Sequence, residues 1–305
     1  MKFNNKSLIS ELGLLFITVI WGSAFVVVKN TIETVPSGYM IAIRFGIAAI
    51  LMPIIFYKRF KNLNMQTIKY GAFLGVIVFV AYYLQNIGIK YTTAGNSAFL
   101  TAVYVIVVPF LYWIVRNRRP DIFNILSAVI CIIGIGLLSL NSGFQINIGD
   151  LLSLLCGLAF ASQITGISIL TEKIDPILIS FTQFAFTSVI AFAVAFSTES
   201  FPQKLGVDSI EALLYISIFS TFIALVLQNV CQKHVPPAKA SLIMSLESLF
   251  GTLFGIIFLN EALTIKTFFG FLLIFIAILI SELKPSFLSG KKAVEKEFEG
   301  LANND

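Results

Sequence analysis

Two ionisable side chains fall deep inside long apolar stretches of this chain, Arg44 and Glu247. A charge at the centre of a bilayer costs about 2.5–3.5 kcal/mol on insertion scales, so such a residue is read first as functional. Glu247 could bind an amine or carry a proton. A carboxyl in a low-dielectric cavity keeps its proton, and an arriving cation makes it let go. The competing role is packing, as a neutral acid bonded to a neighbouring helix or in a static pair with Arg44. The Arg44 guanidinium could fork onto a substrate carboxylate. Snorkelling, or capping of backbone carbonyls at a helix end, is the favoured alternative.

Uncharged polar residues extend the set. Gln85, Asn86, Asn96, Gln163, Gln183, Gln228 and Asn229 lie in or at the ends of apolar runs. Unsatisfied amides are costly in lipid, so these must face other helices or water. Thr101 and Tyr104 are three residues apart and share a helix face. Trp21 sits mid-run beside Gly22-Ser23, where a stacking wall or plain packing would explain it. The expected substrate-binding set is therefore Trp21, Ser23, Thr101, Tyr104, Gln163 and Glu247, with Glu247 also the proton-coupling residue. Arg44, Gln85, Asn86, Asn96, Gln228 and Asn229 are expected to gate or line the cavity. The five aspartates fall at loops or ends. Cys131, Cys156 and Cys231 read as small packing residues, without metal-ligand spacing. No metal or other cofactor is expected.

The elements that must hold these residues are membrane helices. Of 305 residues 57% are hydrophobic and only 12% charged, with mean hydropathy +0.92. Soluble domains carry about 25% charged residues. A net charge of +5 does not signal nucleic acid here, because the basic residues sit in short clusters between apolar runs. Ten runs are long enough to span about 30 Å of hydrocarbon: 10–29, 37–57, 67–88, 94–115, 121–140, 149–170, 176–197, 209–231, 236–259 and 266–284. The first resembles a signal peptide, but Glu11 interrupts it and no A-x-A site follows, so an uncleaved helix is expected. Residues 285–305 read as a polar cytoplasmic tail. Gly71-x-x-x-Gly75 and Gly251-x-x-x-Gly255 predict close helix contacts, and Pro109 a kink. Most of the 30 phenylalanines are expected to face lipid.

Basic residues set the orientation. With the N terminus cytoplasmic, sixteen of the 21 Lys and Arg fall on the cytoplasmic side and four outside, leaving Arg44 within a span. Both termini are thus expected inside the cell. The chain also repeats itself. Leu84-Gln85-Asn86 recurs as Leu227-Gln228-Asn229, and Lys90 as Lys233, at an offset of 143 residues; one residue then enters the second copy, and Ala94-Gly95-Asn96-Ser97 aligns with Ala238-Lys239-Ala240-Ser241 at 144. Five spans per half is an odd number, so the second half enters the membrane inverted, and its loops after the seventh and ninth spans have lost the positive charge of their counterparts. The expectation is an all-α membrane protein of ten transmembrane helices arranged as two inverted five-helix repeats, residues 8–140 and 149–284. Inverted repeats characterise alternating-access transporters, whose site lies near the midplane. The LQN junctions, close to opposite membrane surfaces, then read as gates rather than as the site.

These residues resemble the EamA-domain family of the drug/metabolite transporter superfamily. The likeness is carried by Trp21-Gly22-Ser23-Ala24-Phe25, Arg44-Phe45, the run Ala94 to Thr101 with Tyr104 and Pro109, Ala238 to Leu242, Ser245-Leu246-Glu247 and Leu259-Asn260-Glu261. It covers residues 10 to 284. Ser248 stands where the family often has proline, and Asn117-Arg118-Arg119-Pro120 replaces an acidic end of the fourth helix. The resemblance implies transport of small metabolites, amino acids, amines or drugs across the cytoplasmic membrane. Its expected partners are a small-molecule substrate, the lipid bilayer and, if Glu247 couples, protons; a monomer is expected, with a dimer left open. Nucleotide-sugar carriage is the alternative within the superfamily. An intramembrane enzyme would need paired catalytic groups, yet the lone histidine, His234, ends an apolar run and no acid pair or metal cluster lies within the spans. A channel would need a charged ring or carbonyl filter. No nucleotide-binding loop is present.

Overall fold

A computed structural model of the chain describes residues 5–117, 119–139, 147–202 and 205–283. The expected polar tail, 285–305, and the break at Asn141-Ser142-Gly143 lie outside the described residues. Every described element is helical. In chain order they are α1 (Asn5–Thr31), α2 (Ser37–Ile55), a 3₁₀ segment (Tyr57–Asn62), α3 (Met65–Tyr91), α4 (Ala94–Thr101), α5 (Tyr104–Arg116), α6 (Ile122–Ser139) and α7 (Ile148–Leu170). There follow α8 (Pro176–Thr198), α9 (Val207–Tyr215), a π-helical segment (Ile216–Ile223), α10 (Ala224–Gln232), α11 (Pro237–Ser245), α12 (Glu247–Leu259) and α13 (Ile265–Leu283).

Helix starts are written in the sequence. Asn64, Thr93, Asn147 and Asp175 each accept a hydrogen bond from a backbone N–H of the following turn, which satisfies donors the helix itself cannot. Eight stretches are long and apolar enough to cross a membrane, and two shorter apolar helices cover Ile122–Leu138 and Ile265–Ile280. With the hydrophobic exterior of Ile9, Phe73, Phe196 and Phe258, this is a multi-pass membrane protein.

Three expected spans are not single α-helices, and one of them, the run 209–231, passes through the π segment between α9 and α10. The run 94–115 is interrupted at Ala102-Val103, where Val105 N–H bonds Ala102 O at 3.1 Å and Ile106 N–H bonds Val103 O at 2.9 Å. These are 3₁₀-type links, and they precede Pro109, which sits inside α5 without breaking it. The run 236–259 is interrupted at Leu246 by similar links, Leu246 N–H to Ile243 O and Leu249 N–H to Leu246 O. No proline is needed there. Ends match as well: Asn117 and Asn260, at the C-caps of α5 and α12, adopt the left-handed region at φ 54° and 53°.

Packing joins the first part of the chain to the second. α3 lies against α7 and α8, α2 against α8 and the π segment, α1 against α10, α11 and α12, α4 against α12 and α7, and α6 against α13. Glycines permit the closest approaches. Gly71 and Gly75 of α3 meet Thr182, Gln183 and Phe186 of α8, and Gly251 meets Ala98 and Phe25. Both glycine motifs thus mark helix contacts. α6 and α13 pair with each other at the periphery, Gly134 against Ile274 and Gly270. The expectation for phenylalanine fails in part: Phe25, Phe45, Phe99 and Phe184 are core, because inter-helix space needs large side chains as much as lipid does. The three cysteines are free and buried.

The tightest backbone-to-backbone seam at a glycine is α3 against the start of α7. A Cβ on Gly149 would stand 2.6 Å from the Gly88 carbonyl and 2.7–2.8 Å from the backbone at Tyr91 and Thr92. Backbone cannot rotate away, so Gly149→Ala should destabilise by about 1–3 kcal/mol. In detergent its thermal midpoint should fall by several degrees, while Gly206→Ala, with nothing within 4 Å of the new carbon, should stay at the parent value. Equal midpoints for the two variants would refute this seam.

Candidate functional site

The helix breaks and the π segment converge on one cavity in the middle of the bundle. Its lining includes Trp21, Arg44, Tyr82, Gln85, Tyr104, Phe160, Gln163, Ser220, Gln228 and Glu247. It has ≈ 50 Å³ of free space, enough for a few waters at about 10–15 Å³ each. Aromatic and aliphatic side chains make most of its wall, and Arg44, Gln85, Gln163, Ser220, Gln228 and Glu247 bring polar groups to it.

Arg44 is 1% exposed. Its Nε–H donates to Thr221 Oγ1 at 2.7 Å and an Nη2–H to Ser220 Oγ at 3.1 Å. The guanidinium stacks over the Tyr82 ring, 4.5 Å from its centroid. The π segment makes this possible. Its wider turn lets Thr221 donate to the Ile216 carbonyl, five residues back, while accepting from Arg44. Ser220 also offers its carbonyl to Trp21 Nε1–H at 3.1 Å. One turn and a half of irregular helix therefore holds two of the expected site residues. Arg44 neither snorkels nor caps a helix end, and among the described residues it has no ion pair with Glu247.

Glu247 is 6% exposed and opens α12, directly after the break. Tyr104 opens α5, directly after the other break. The two residues are 143 positions apart, as are the left-handed caps Asn117 and Asn260 that end α5 and α12, so each opens the matching helix of its part of the chain, and their polar ends are neighbours. The Tyr104 hydroxyl makes no hydrogen bond of normal geometry. Three more lining pairs share that offset: Trp21 with Ile164, Tyr82 with Leu225, and Gln85 with Gln228. Gln228 Nε2 donates to Gln163 Oε1 at 3.3 Å and to Gln232 Oε1 at 3.2 Å, while Gln163 Nε2 and Gln228 Oε1 are left without partners. Unpaired buried polar atoms around a polar cavity are where water or a ligand would bind.

The remaining expected residues lie elsewhere. Ser23 bonds Tyr215 through its hydroxyl at 2.6 Å. Thr101 is buried beside Cys156, 4.0 Å from its sulfur. Asn86 donates to Met40 Sδ and Asn229 to Ser180 Oγ. Asn96 lines a small separate recess with Thr252 and Glu261. None of these five is among the lining residues of the central cavity. The two LQN stretches thus split: each glutamine faces the cavity and each asparagine bonds away from it. Alternation around a helix explains the split, since adjacent residues point about 100° apart. Sequence reading missed Tyr82, Phe160 and Ser220, for which only repeat equivalence or a helix-face argument gave any signal.

Charges close the two ends of the bundle differently. At the end with the N terminus, three exposed side-chain pairs bridge helices: Arg59–Asp175, Arg116–Glu172 and Lys239–Glu11 at 2.8, 2.5 and 2.6 Å. At the opposite end carboxylates sit on helix N-termini. Glu199 accepts from Gly38 N–H at 2.9 Å, and Glu261 from Ala94 N–H at 2.6 Å and Gly95 N–H at 3.1 Å. Lys29 Nζ–H donates to the Ile89 and Thr92 carbonyls at the end of α3, and Thr92 Oγ1–H to Asp150 at 2.5 Å. Exposed pairs contribute about 0–1 kcal/mol each; charge-assisted bonds to helix termini are stronger.

A bundle of apolar helices around a central polar cavity, with interrupted helices beside it, is the architecture of a membrane transporter. The chain belongs to the EamA-like transporter family, whose model matches residues 8–140 and 147–283. An uncharacterized transporter of Archaeoglobus fulgidus is 35% identical over 280 residues, 92% of this chain and 87% of that protein. The uncharacterized transporter YoaV of Bacillus subtilis is 22% identical, over 86% of this chain and 93% of its own. A solved structure described only as the crystal structure of a protein shares the fold, with TM-score 0.70 and 13% identity over 92% of this chain and 98% of that one.

Arg44 supplies the test of the site's construction. Thr221→Val keeps the shape but strands a buried charged donor, which should cost about 2–3 kcal/mol. Its thermal midpoint should drop, and Thr221→Ser should restore it. Indistinguishable midpoints for the Val variant and the parent would mean that Thr221 does not carry the guanidinium.

Proposed function

We propose that this transporter is a secondary carrier that exports small metabolites, amino acids, amines or drug-like solutes, across the cytoplasmic membrane by alternating access. The moving parts are two inverted five-helix halves, residues 8–140 and 149–284, with both termini in the cytoplasm. The observation that carries the reading is the meeting of Tyr104 and Glu247. Each opens the helix that follows a break, α5 in one half and α12 in the other, and they adjoin in the central cavity. A two-fold axis in the membrane plane would bring equivalent positions together in this way. The packing supports it too: exchanging each helix for its counterpart turns the α3–α7 contact into that of α10 with α1, and the contact of α4 with α7 into that of α11 with α1. α6 and α13 complete the ten.

The cavity chemistry supports the substrate class. One carboxyl and one guanidinium, neither in an ion pair among the described residues, face a space walled by aromatic and aliphatic side chains. An amine would meet Glu247, a carboxylate Arg44, and an apolar side chain Trp21, Tyr82 and Phe160. Space for only a few waters fits an occluded state that must open to load. Glu247 then serves as the proton site, released when a cationic substrate arrives. The carboxylate and lysine contacts at the end away from the N terminus support a latched extracellular side.

Two measurements test this. In proteoliposomes with a proton gradient, Glu247→Gln should abolish coupled uptake while the protein still inserts and folds; unchanged flux with unchanged pH dependence would discard the proton role. For the latch, Ile89→Cys provides a reporter at a fully buried cavity position. Adding Glu261→Gln should raise its labelling by an impermeant maleimide from outside several-fold. Labelling that stays at the single-variant rate would count against a latch at α4.

A further inference from the structure

A second, larger opening lies at the N-terminal end of the bundle, with ≈ 750 Å³ of free space. It has no lining residue in common with the central cavity. One wall is apolar: Phe56 after α2, Phe222 and Ile223 of the π segment, and Val226, Leu227 and Val230 of α10. Phe56 and Phe222 face each other with centroids 6.4 Å apart. Ile54, Ile55 and Phe219, one to three residues along the chain from Phe56 and Phe222, are exposed, which puts an apolar surface beside the crevice. Its end is polar and basic, with Arg59, Lys173, Lys233 and His234.

The two carboxylates at that end are already engaged. Asp175 pairs with Arg59 and Glu172 with Arg116. Lys173 and Lys233 have no acidic partner among the described residues. The apolar wall from Phe222 to Lys233 rises along eleven residues, about 16 Å at 1.5 Å each. An apolar slot of that depth, flanked by exposed apolar residues and ending in two lysines without an acidic partner among the described residues, matches an acyl chain beneath an anionic headgroup.

We propose that this crevice binds one anionic phospholipid of the cytoplasmic leaflet, its headgroup on Lys173 and Lys233 and one acyl chain along Phe56, Phe222, Val226 and Val230. The leaflet assignment rests on the cytoplasmic N terminus argued above; the binding does not depend on transport. A soluble anion would use the lysines without the apolar wall, and a zwitterionic lipid would use the wall without the surplus charge. Juxtamembrane lysines attract anionic lipid headgroups through the bare charge, so screening by salt should weaken the site.

The experiment is native mass spectrometry of the purified full chain, titrated with phosphatidylglycerol, with phosphatidylcholine of the same acyl chains, and with inorganic phosphate. One phosphatidylglycerol should be retained, in preference to phosphatidylcholine by about tenfold. Lys173→Gln/Lys233→Gln should erase the preference, and Lys173→Arg/Lys233→Arg should keep it, which separates charge from misfolding. Val230→Trp fills the slot while preserving both lysines, and should lower retention of both lipids. Equal retention of the two lipids by the parent, or displacement of phosphatidylglycerol by phosphate, would overturn the proposal. Because no flux is measured, either result leaves the carrier reading untouched, and a failure of transport leaves this one untouched.

Discussion

The contact between Arg44 and the π segment is the constraint on which the centre of the molecule depends. A guanidinium at 1% exposure, with no carboxylate beside it among the described residues, must find hydrogen bonds or neutral chemistry elsewhere. A regular α-helix at 216–223 would commit the Thr221 hydroxyl to a carbonyl three or four residues back. The wider π turn directs it to Ile216 and leaves its lone pair for Arg44. The same turn frees the Ser220 carbonyl to take the Trp21 indole N–H. Helices α1 and α2 of the first half are thereby pinned to one irregular turn of the second, and the cavity lies beside that turn.

Around it, the helices use irregularity for a purpose. The interruptions at Ala102-Val103 and Leu246 leave short pieces ahead of Tyr104 and Glu247. An acid at the first position of α12 also meets the favourable end of that helix's dipole. Opposite ends of the bundle are held by contacts of different strength, exposed ion pairs at one and carboxylates on helix N-termini at the other. Under the proposed alternating access, one set would open before the other. The weaker, solvent-screened set lies at the end that also carries the wide basic crevice.

Much of this was legible early. Length of apolar runs and their punctuation placed the helices, because a span needs about 20 residues and every helix start needs a cap. The residues Trp21, Arg44, Gln85, Tyr104, Gln163, Gln228 and Glu247 were singled out from polarity in an apolar context, and all seven line the cavity. Ser23, Thr101, Asn86, Asn96 and Asn229 were singled out by the same rule and do not. Polarity says that a side chain needs a partner; it does not say whether the partner is a ligand or a neighbouring helix. Ser23 found Tyr215, and Asn229 found Ser180.

What the sequence determined by itself is the class of molecule: an all-helical membrane chain, repeated at an offset of 143 residues, of the EamA-like transporter family. These properties reside in composition and spacing, which are local and additive along the chain. Only the tertiary structure decided which polar groups share one space. The breaks before Tyr104 and Glu247 carry no proline or glycine to announce them, and the π turn at 216–223 reads as ordinary apolar helix. Such irregularities are small in energy for one helix and are fixed by packing against others. Arg44 stands beside Ser220 and Thr221 across 176 and 177 residues of chain, a relation set by packing between the halves.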